Sequence, residues 1–276
     1  MKTAILLSTY NGEKFLREQL DSIFSQTDQD WCLFVRDDGS TDSTTSILSE
    51  YKLKYGEKIE IIPSDKNIGP IASFELLMSS CDSDYVYFCD QDDVWLPNKI
   101  EVMRKVMQKA EENNGKAPVV AFSDLKVVDS SLNIISESFW NYSKIDPSIS
   151  SDFEMLCVHG VATGCAMMVN RKAIDHALPF PPEVRMHDAW VVLCTSKAGG
   201  IVTYTSEPTI LYRQHGNNLV GAIDESSSYL SSKLKTIKFV WRNNQLQWRM
   251  IKKLGFNSPL KYLWLKIKYH FQIKKN

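Results

Sequence analysis

This chain of 276 residues is informative first for what it lacks. No apolar run approaches the roughly 20 residues that a membrane-spanning helix needs. Six cysteines, at 32, 81, 89, 157, 165 and 194, form no CxxC pair and lie mostly within apolar runs. That pattern argues against a disulfide framework or a zinc site and for buried, reduced thiols in a cytosolic protein. Acidic residues are absent from Tyr229 to Asn276, a stretch holding 12 Lys and Arg. The first 228 residues carry the other 20 basic residues against all 33 acidic ones, so the net charge of −1 conceals a cationic tail on an anionic body. The opening, Met1–Ser8, runs straight into a strand pattern and offers no apolar core long enough for a signal peptide. Internal repeats and low-complexity segments are missing too, and the length suits one large α/β domain, alone or with an appendage.

What is present is an alternation. Apolar runs of strand length fall near 3–8, 31–36, 58–62, 84–89 and 118–123, with amphipathic stretches near 12–25, 42–54, 70–80 and 97–113 between them. Strands alternating with helices predict βαβ units and a mainly parallel sheet, with ligands at the C-terminal ends of its strands. Residues 124–155 read as a long loop over the sheet edge, 163–170 as a strand, 187–197 as a helix, and 201–204 and 209–212 as two short strands.

Three polar clusters follow predicted strands and therefore share one sheet edge. They are Ser8-Thr9-Tyr10-Asn11-Gly12, Asp37-Asp38-Gly39-Ser40-Thr41-Asp42 and Asp90-Gln91-Asp92-Asp93. The third puts three carboxylates in four residues behind the apolar run Tyr85–Phe88. Such a cluster repels itself and loses hydration, a cost that a divalent cation with hard oxygen ligands offsets. A solvated turn is the plainer reading of those acids, as helix capping is of Thr41 and Asp42. Capping does not account for Asp37-Asp38 ahead of Gly39.

Taken in order, Ser8–Gly12, Asp37–Ser40, Asn67-Ile68-Gly69, Asp90–Asp93, Thr163-Gly164-Cys165, His187-Asp188 and Tyr212-Arg213-Gln214-His215-Gly216 resemble the motifs of the inverting family 2 glycosyltransferases of GT-A fold. The closest likeness is to their bacterial rhamnosyltransferase-like branch, over roughly residues 3–222. The resemblance implies a Rossmann-like, mainly parallel sheet flanked by helices as a catalytic domain at 1–222, followed by a basic amphipathic helical extension at 223–276. It implies that Thr9, Tyr10, Asn11, Asp38, Asn67, Asp90 and Arg213 hold the nucleotide, with Asp38 accepting the imide N–H of uracil or thymine. It implies that Asp90, Asp92 and His215 hold Mn²⁺ or Mg²⁺, and that Asp188 is the general base. An acceptor would meet Trp140, His187 and Trp190, although His187 and Trp190 also read as a simple packing pair. The branch's usual two aromatics after His-Asp are reduced here to Trp190, which leaves the acceptor open.

The implied reaction is transfer of a sugar, favoured as L-rhamnose from dTDP-L-rhamnose, to a hydroxyl of a cell-surface or lipid-linked glycan. UDP-glucose, UDP-galactose or a UDP-N-acetylhexosamine are alternative donors, and a non-catalytic glycan- or nucleotide-sugar-binding subunit is an alternative of another class. A nucleotidyltransferase fits less well, because Ser8–Gly12 is not a Gly-rich, cationic triphosphate loop. The Gln-x-x-Arg-Trp motif of processive polymerases is missing at 214–218, which favours transfer of one sugar per encounter.

In the tail, Lys233, Lys235, Lys238, Arg242, Arg249, Lys252 and Lys253 alternate with Leu234, Ile237, Phe239, Val240, Trp241, Trp248 and Ile251. A second stretch after Pro259 mixes Lys261, Lys266 and Lys268 with Tyr262, Leu263, Trp264, Leu265, Ile267, Tyr269 and Phe271. Basic residues with interfacial aromatics suit a helix lying on an anionic membrane, on the inner face of the cell membrane. A helix packed on the acidic body is the alternative, and nucleic-acid binding is not expected.

Overall fold

A computed structural model describes residues 2–115, 117–215 and 232–273. Gly216, the expected boundary at 222, and the side chains of Lys233, Leu234, Lys235, Ile237, Lys238, Phe239, Val240, Trp241 and Arg242 lie outside the described parts.

The first half follows the predicted alternation. Strand β1 (Thr3–Thr9), helix α1 (Leu16–Phe24), β2 (Cys32–Asp37), α2 (Thr44–Tyr55), β3 (Ile59–Ile61), α3 (Gly69–Ser80) and β4 (Tyr85–Cys89) build successive βαβ units. Period-2 alternation explains why β1 is apolar from Ala4 to Leu7: Ala4 and Leu6 face one core, Ile5 and Leu7 the other. Helix α1 presents Leu16, Leu20 and Ile23 to the second core at helical spacing.

The rest of the chain comprises β5 (Val94–Trp95), α4 (Lys99–Asn114), β6 (Val119–Val128), β7 (Ile134–Ser136), α5 (Phe139–Tyr142), α6 (Phe153–Val158), β8 (Met167–Asn170), α7 (Arg171–Ala177), α8 (His187–Lys197), β9 (Ile201–Arg213), α9 (Ser232–Lys253) and α10 (Pro259–Ile273). Among the described residues nine strands form one sheet in the order β3-β2-β1-β4-β8-β6-β9-β5, with β7 paired to β6. Strands β1, β2, β3, β4, β6 and β9 run one way, whereas β8, β5 and β7 run against them, so the sheet is mixed in its second half.

Three local expectations change. The strand expected at 163–170 is β8 over Met167–Asn170 alone, preceded by a 3-10 turn at Gly164–Ala166. The segment 124–155 is not one long loop, because β6 continues to Val128 with Leu125, Val127 and Val128 buried, and α5 and α6 follow. The two short strands at 201–204 and 209–212 are one strand, β9, whose register against β6 shifts at Ser123/Asp124 and Asp124/Lys126. Those irregularities absorb Pro208, which pairs opposite Asp124 without ending the ladder.

The extension packs on the body. Met250, Ile251, Phe256, Tyr262, Leu265 and Tyr269 are buried in the same core cluster as Met155, Leu156, Val184 and Trp190. Five of the six cysteines are buried, Cys32 is exposed, and all six are free thiols. No helix among the described residues is long and apolar enough to cross a membrane.

Candidate active site

The loop after β1 and the loop after β2 are latched to each other. Asp37 accepts from the Thr9 hydroxyl at 2.9 Å and from the Gly39 and Ser40 N–H groups at 3.2 and 2.9 Å. Asn11, held at φ 48°, donates its N–H to Ser40 Oγ at 2.8 Å and accepts the Thr41 N–H at 2.8 Å. Gly12 N–H donates to Thr44 Oγ1 at 2.8 Å. Thr9 and Asn11 are therefore occupied in shaping the loop, while Tyr10 keeps 49% of its surface exposed and presents a free ring.

Asp38 is only 2% exposed. It pairs with the buried Arg36 guanidinium and accepts the Ile68 and Gly69 N–H groups, each at 2.8 Å. Burial alone would raise its pKa. The Ile68 N–H, the guanidinium and the Gly69 N–H together outweigh that and hold Asp38 below the usual carboxylate range. Arg36 also donates to Ser73 Oγ at 2.7 Å and to Lys66 O at 3.0 Å. Both oxygens of Asp38 are thus engaged with the protein, and its direct effect is to fix the turn that carries the exposed Asn67.

The third acidic cluster sits differently. Oxygens of Asp90 and Asp93 and the sulfur of Cys165 lie within 4.8 Å of one another. Burial, then the negative charges of Asp92 and Asp188, push the Asp90 carboxyl up to about 7. Asp93 is pushed well above the ordinary range by burial and by Asp92 and Asp90. One Asp93 oxygen accepts the Arg213 N–H at 3.0 Å; the other, Oδ2, is buried and has no hydrogen-bond partner among the described residues. Asp92 Oδ2 meets His215 Nε2 at 2.8 Å, and the His215 ring packs on Phe15. Hard carboxylate oxygens crowded at raised pKa, with one orphaned, fit a divalent cation. Cys165 does not compete for the ion, since burial followed by Asp93 and Asp90 keeps its thiol protonated.

Arg213 lies behind this cluster, at 1% exposure. Its guanidinium donates to Asp92 O and Ser130 O, each at 2.7 Å, pairs with Glu18, and covers the Phe15 ring at 4.4 Å. That geometry fixes the backbone of Asp92.

Asp188, in the first turn of α8, accepts the Gly164 N–H at 3.0 Å and the Ala189 N–H at 2.6 Å. Its charge reaches Asp90, which places the expected base beside the acidic cluster. His187 stacks on Phe74 with centroids 3.9 Å apart, and its Nε2 is buried without a partner. Burial lowers its pKa against the pull of Asp188, so the ring is neutral. A Cβ on Gly164 would come within 2.9 Å of that Nε2, so glycine is required for the close approach. Trp190 is 5% exposed and donates its indole N–H to Ala177 O at 2.8 Å, the behaviour of a core residue and not of an acceptor platform. Trp140, at 7% exposure, packs edge-on against Phe122 and Tyr204 and borders a cleft of about 460 Å³ with Asp124, Lys126 and Asn141.

Two residues in the site carry no obvious sequence signal. Gln91 accepts the Tyr10 N–H at 2.9 Å and donates to Tyr10 O at 3.0 Å, joining the first and third loops. The one hint lay in Gly12, where a Cβ would stand 2.3 Å from Gln91 Oε1. Lys99 is fully buried between the Trp95 and Tyr87 rings, 4.7 and 5.8 Å from their centroids. Burial lowers its pKa to about 8 against the opposing pull of Cys165, Cys89 and Asp93, so it remains a counter-charge behind the acids at neutral pH.

The family model "Glycosyl transferase family 2" matches residues 4–178, more than half of the chain. The chain belongs to glycosyl transferase family 2. This glycosyltransferase is 29% identical over 228 residues to the dTDP-rhamnosyl transferase RfbG of Shigella flexneri, covering 78% of this chain and 74% of that one. An uncharacterized glycosyltransferase of a Nostoc species is 26% identical over 82% of this chain and 69% of its own. In fold it resembles TarS residues 1–349 of S. aureus, solved with UDP-GlcNAc, at TM-score 0.65 and 17% identity over 99% of this chain and 73% of that one. It also resembles the mannosyltransferase PcManGT of Pyrobaculum calidifontis, solved with GDP-Man and Mn²⁺, at TM-score 0.58 and 13% identity over 97% of this chain and 72% of that one. The architecture is therefore the GT-A fold, and the enzyme is a nucleotide-sugar-dependent glycosyltransferase.

Proposed function

We propose that this enzyme transfers L-rhamnose from dTDP-L-rhamnose, with inversion and with a divalent cation, to a hydroxyl of a cell-surface or lipid-linked glycan. The carrying observation is Asp188. It stands beside the acidic cluster on two backbone N–H bonds, with lone pairs left to take a proton from an attacking hydroxyl. Asp90 and Asp92, with His215, would hold Mn²⁺ or Mg²⁺ beside the Asp93 oxygen that has no partner, and the ion would supply positive charge against that developing on a departing nucleoside diphosphate.

The protein's own residues do the rest. The Tyr10 ring stacks on the base, Asn67 borders it on the turn that Asp38 holds, and the latched Thr9 and Asn11 fix the loop. Arg213 and Lys99 steady the acids from behind. His187 and the Trp140 cleft border the acceptor side. The dTDP-rhamnose reading draws on the sequence likeness to a dTDP-rhamnosyl transferase.

The test is nucleoside-diphosphate release from dTDP-rhamnose, UDP-glucose, UDP-galactose and UDP-N-acetylhexosamines, with Mn²⁺ or Mg²⁺ and then with EDTA. The expected result is release from dTDP-rhamnose, lost with EDTA and reduced at least 100-fold in Asp188→Asn at unchanged donor affinity. Release from a UDP-sugar alone would overturn the donor, and full activity in Asp188→Asn would overturn the base.

A further inference from the structure

Helix α10 carries two apolar faces, and only one of them is used by the fold. Tyr262, Leu265 and Tyr269 turn inward and are buried, with Tyr269 stacked on His159 at 4.0 Å. On the opposite face, Leu260, Leu263, Trp264, Ile267 and Phe271 remain 49–80% exposed. Steps of three and four residues bring these five onto one stripe. The described residues leave twelve large apolar side chains exposed, and five of them crowd into this one helix while the others are scattered.

The stripe is edged by cations. Helical geometry sets Lys261 and Lys268 along one side and Lys266 with His270 along the other. Lys268 Nζ lies 5.5 Å over the Trp264 ring, and Lys266 is tied to Asn244. No acidic residue occurs from Tyr229 to Asn276, whereas the rest of the chain is strongly anionic. Fifteen residues of helix span about 22 Å, too short to cross a bilayer core of roughly 30 Å but well suited to lying in its surface.

We propose that this face of α10 docks the enzyme on an anionic lipid leaflet. Leu260, Leu263, Trp264, Ile267 and Phe271 sink to the headgroup–acyl boundary, and Lys268 meets lipid phosphate, while Lys261 pairs with Glu154 and Lys266 with Asn244. The acidic body is repelled by the same surface, which orients the molecule with α10 down. A second copy of the chain suits the face less well, because two such stripes would bring Lys268 of each copy together, and Glu154, the acid at the stripe's edge, is already paired with Lys261. The two alternatives weighed for the tail are then opposite faces of one helix, one packed on the body and one turned to lipid. The inference stands on α10 alone and is independent of donor and acceptor.

The full chain is sedimented with phosphatidylcholine vesicles, with and without 30% phosphatidylglycerol, at low and high salt, beside L263S/W264S and K268Q. Both substituted apolar side chains are exposed, so melting temperatures should match the wild type and separate docking from folding. Binding is expected only to the anionic vesicles. It should fall about tenfold or more in L263S/W264S, and severalfold in K268Q and at high salt. The proposal fails if the wild type stays in the supernatant with anionic vesicles, or if L263S/W264S binds them as tightly. It also fails if sedimentation velocity finds a dimer that the double substitution dissolves while vesicles bind neither protein.

Discussion

Replacing Gln91 by Met should cripple donor binding without unfolding the enzyme. The substitution keeps length and volume but removes the hydrogen bonds to Tyr10 N–H and Tyr10 O, at 2.9 and 3.0 Å. Each is worth about 0.5–1.5 kcal/mol, so the loop position that aims the Tyr10 ring loses about 2 kcal/mol, or roughly 30-fold in donor affinity. The loop stays attached on its other side through Asn11, Ser40, Thr41, Gly12 and Thr44, so the melting temperature should fall by only a few degrees. Titration calorimetry with dTDP and UDP, beside steady-state kinetics, reads the effect, which belongs in KM and much less in kcat. Gly12→Ala attacks the same clamp from the opposite side, because its Cβ would meet Gln91 Oε1 at 2.3 Å. If both act through the clamp, the double variant is no worse than the worse single one. Additive losses, or unchanged nucleotide affinity in Gln91→Met, would refute the positioning role.

Gly164→Ala should lower kcat at least tenfold at near-constant donor affinity. Its Cβ at 2.9 Å from His187 Nε2 cannot push that ring off Phe74, so the strain goes to the Gly164 N–H bond that aims Asp188; single-turnover kinetics would show it. His159 gives the fold a pH dependence. It stacks on Tyr269 near Lys266, and burial, then the lysine's charge, lowers its pKa to about 4 from an ordinary 6.5. The folded state therefore binds this proton less well than the unfolded one. Its stabilising share is whole above about pH 6.5, is lost as the pH falls toward 4, and reaches a ceiling of about 3 kcal/mol. Urea midpoints at pH 7 and 4.5 should differ by less in His159→Phe than in the wild type, and an equal difference would remove the assignment.

The sheet edge was legible because βαβ alternation dictates where loops gather, and β1 to β4 with α1 to α3 fall where the periodicity puts them. The misreadings share a cause. Pro208 looks like a strand terminator until an irregularity opposite Asp124 is there to absorb it, and pairing partners are not visible in one strand's sequence. Leu125 and Val127 did carry the alternation of a continuing β6, hidden by the polar Ser123, Asp124 and Lys126 around them. Trp190 reads from the sequence either as an acceptor contact or as a packing partner of His187, and the helix phase turns it into the core.

The two acidic clusters show where sequence reading stops. Asp37-Asp38 and Asp90–Asp93 look alike on the page, each following a buried strand. The first is saturated by the chain itself: Arg36, two residues before Asp38, and four backbone N–H groups supply donors to its oxygens. A buried arginine two residues before a carboxylate is a signal for that, since an unpaired guanidinium in a core is costly. The second cluster receives less. Lys99 balances it only at a distance, Arg213 spends its guanidinium mainly on backbone carbonyls and Glu18, and Asp90 is left with a proton affinity near neutrality. Carboxylates whose own fold compensates them act as latches, whereas Asp90 and Asp93 are left short of positive charge and hold their protons more tightly.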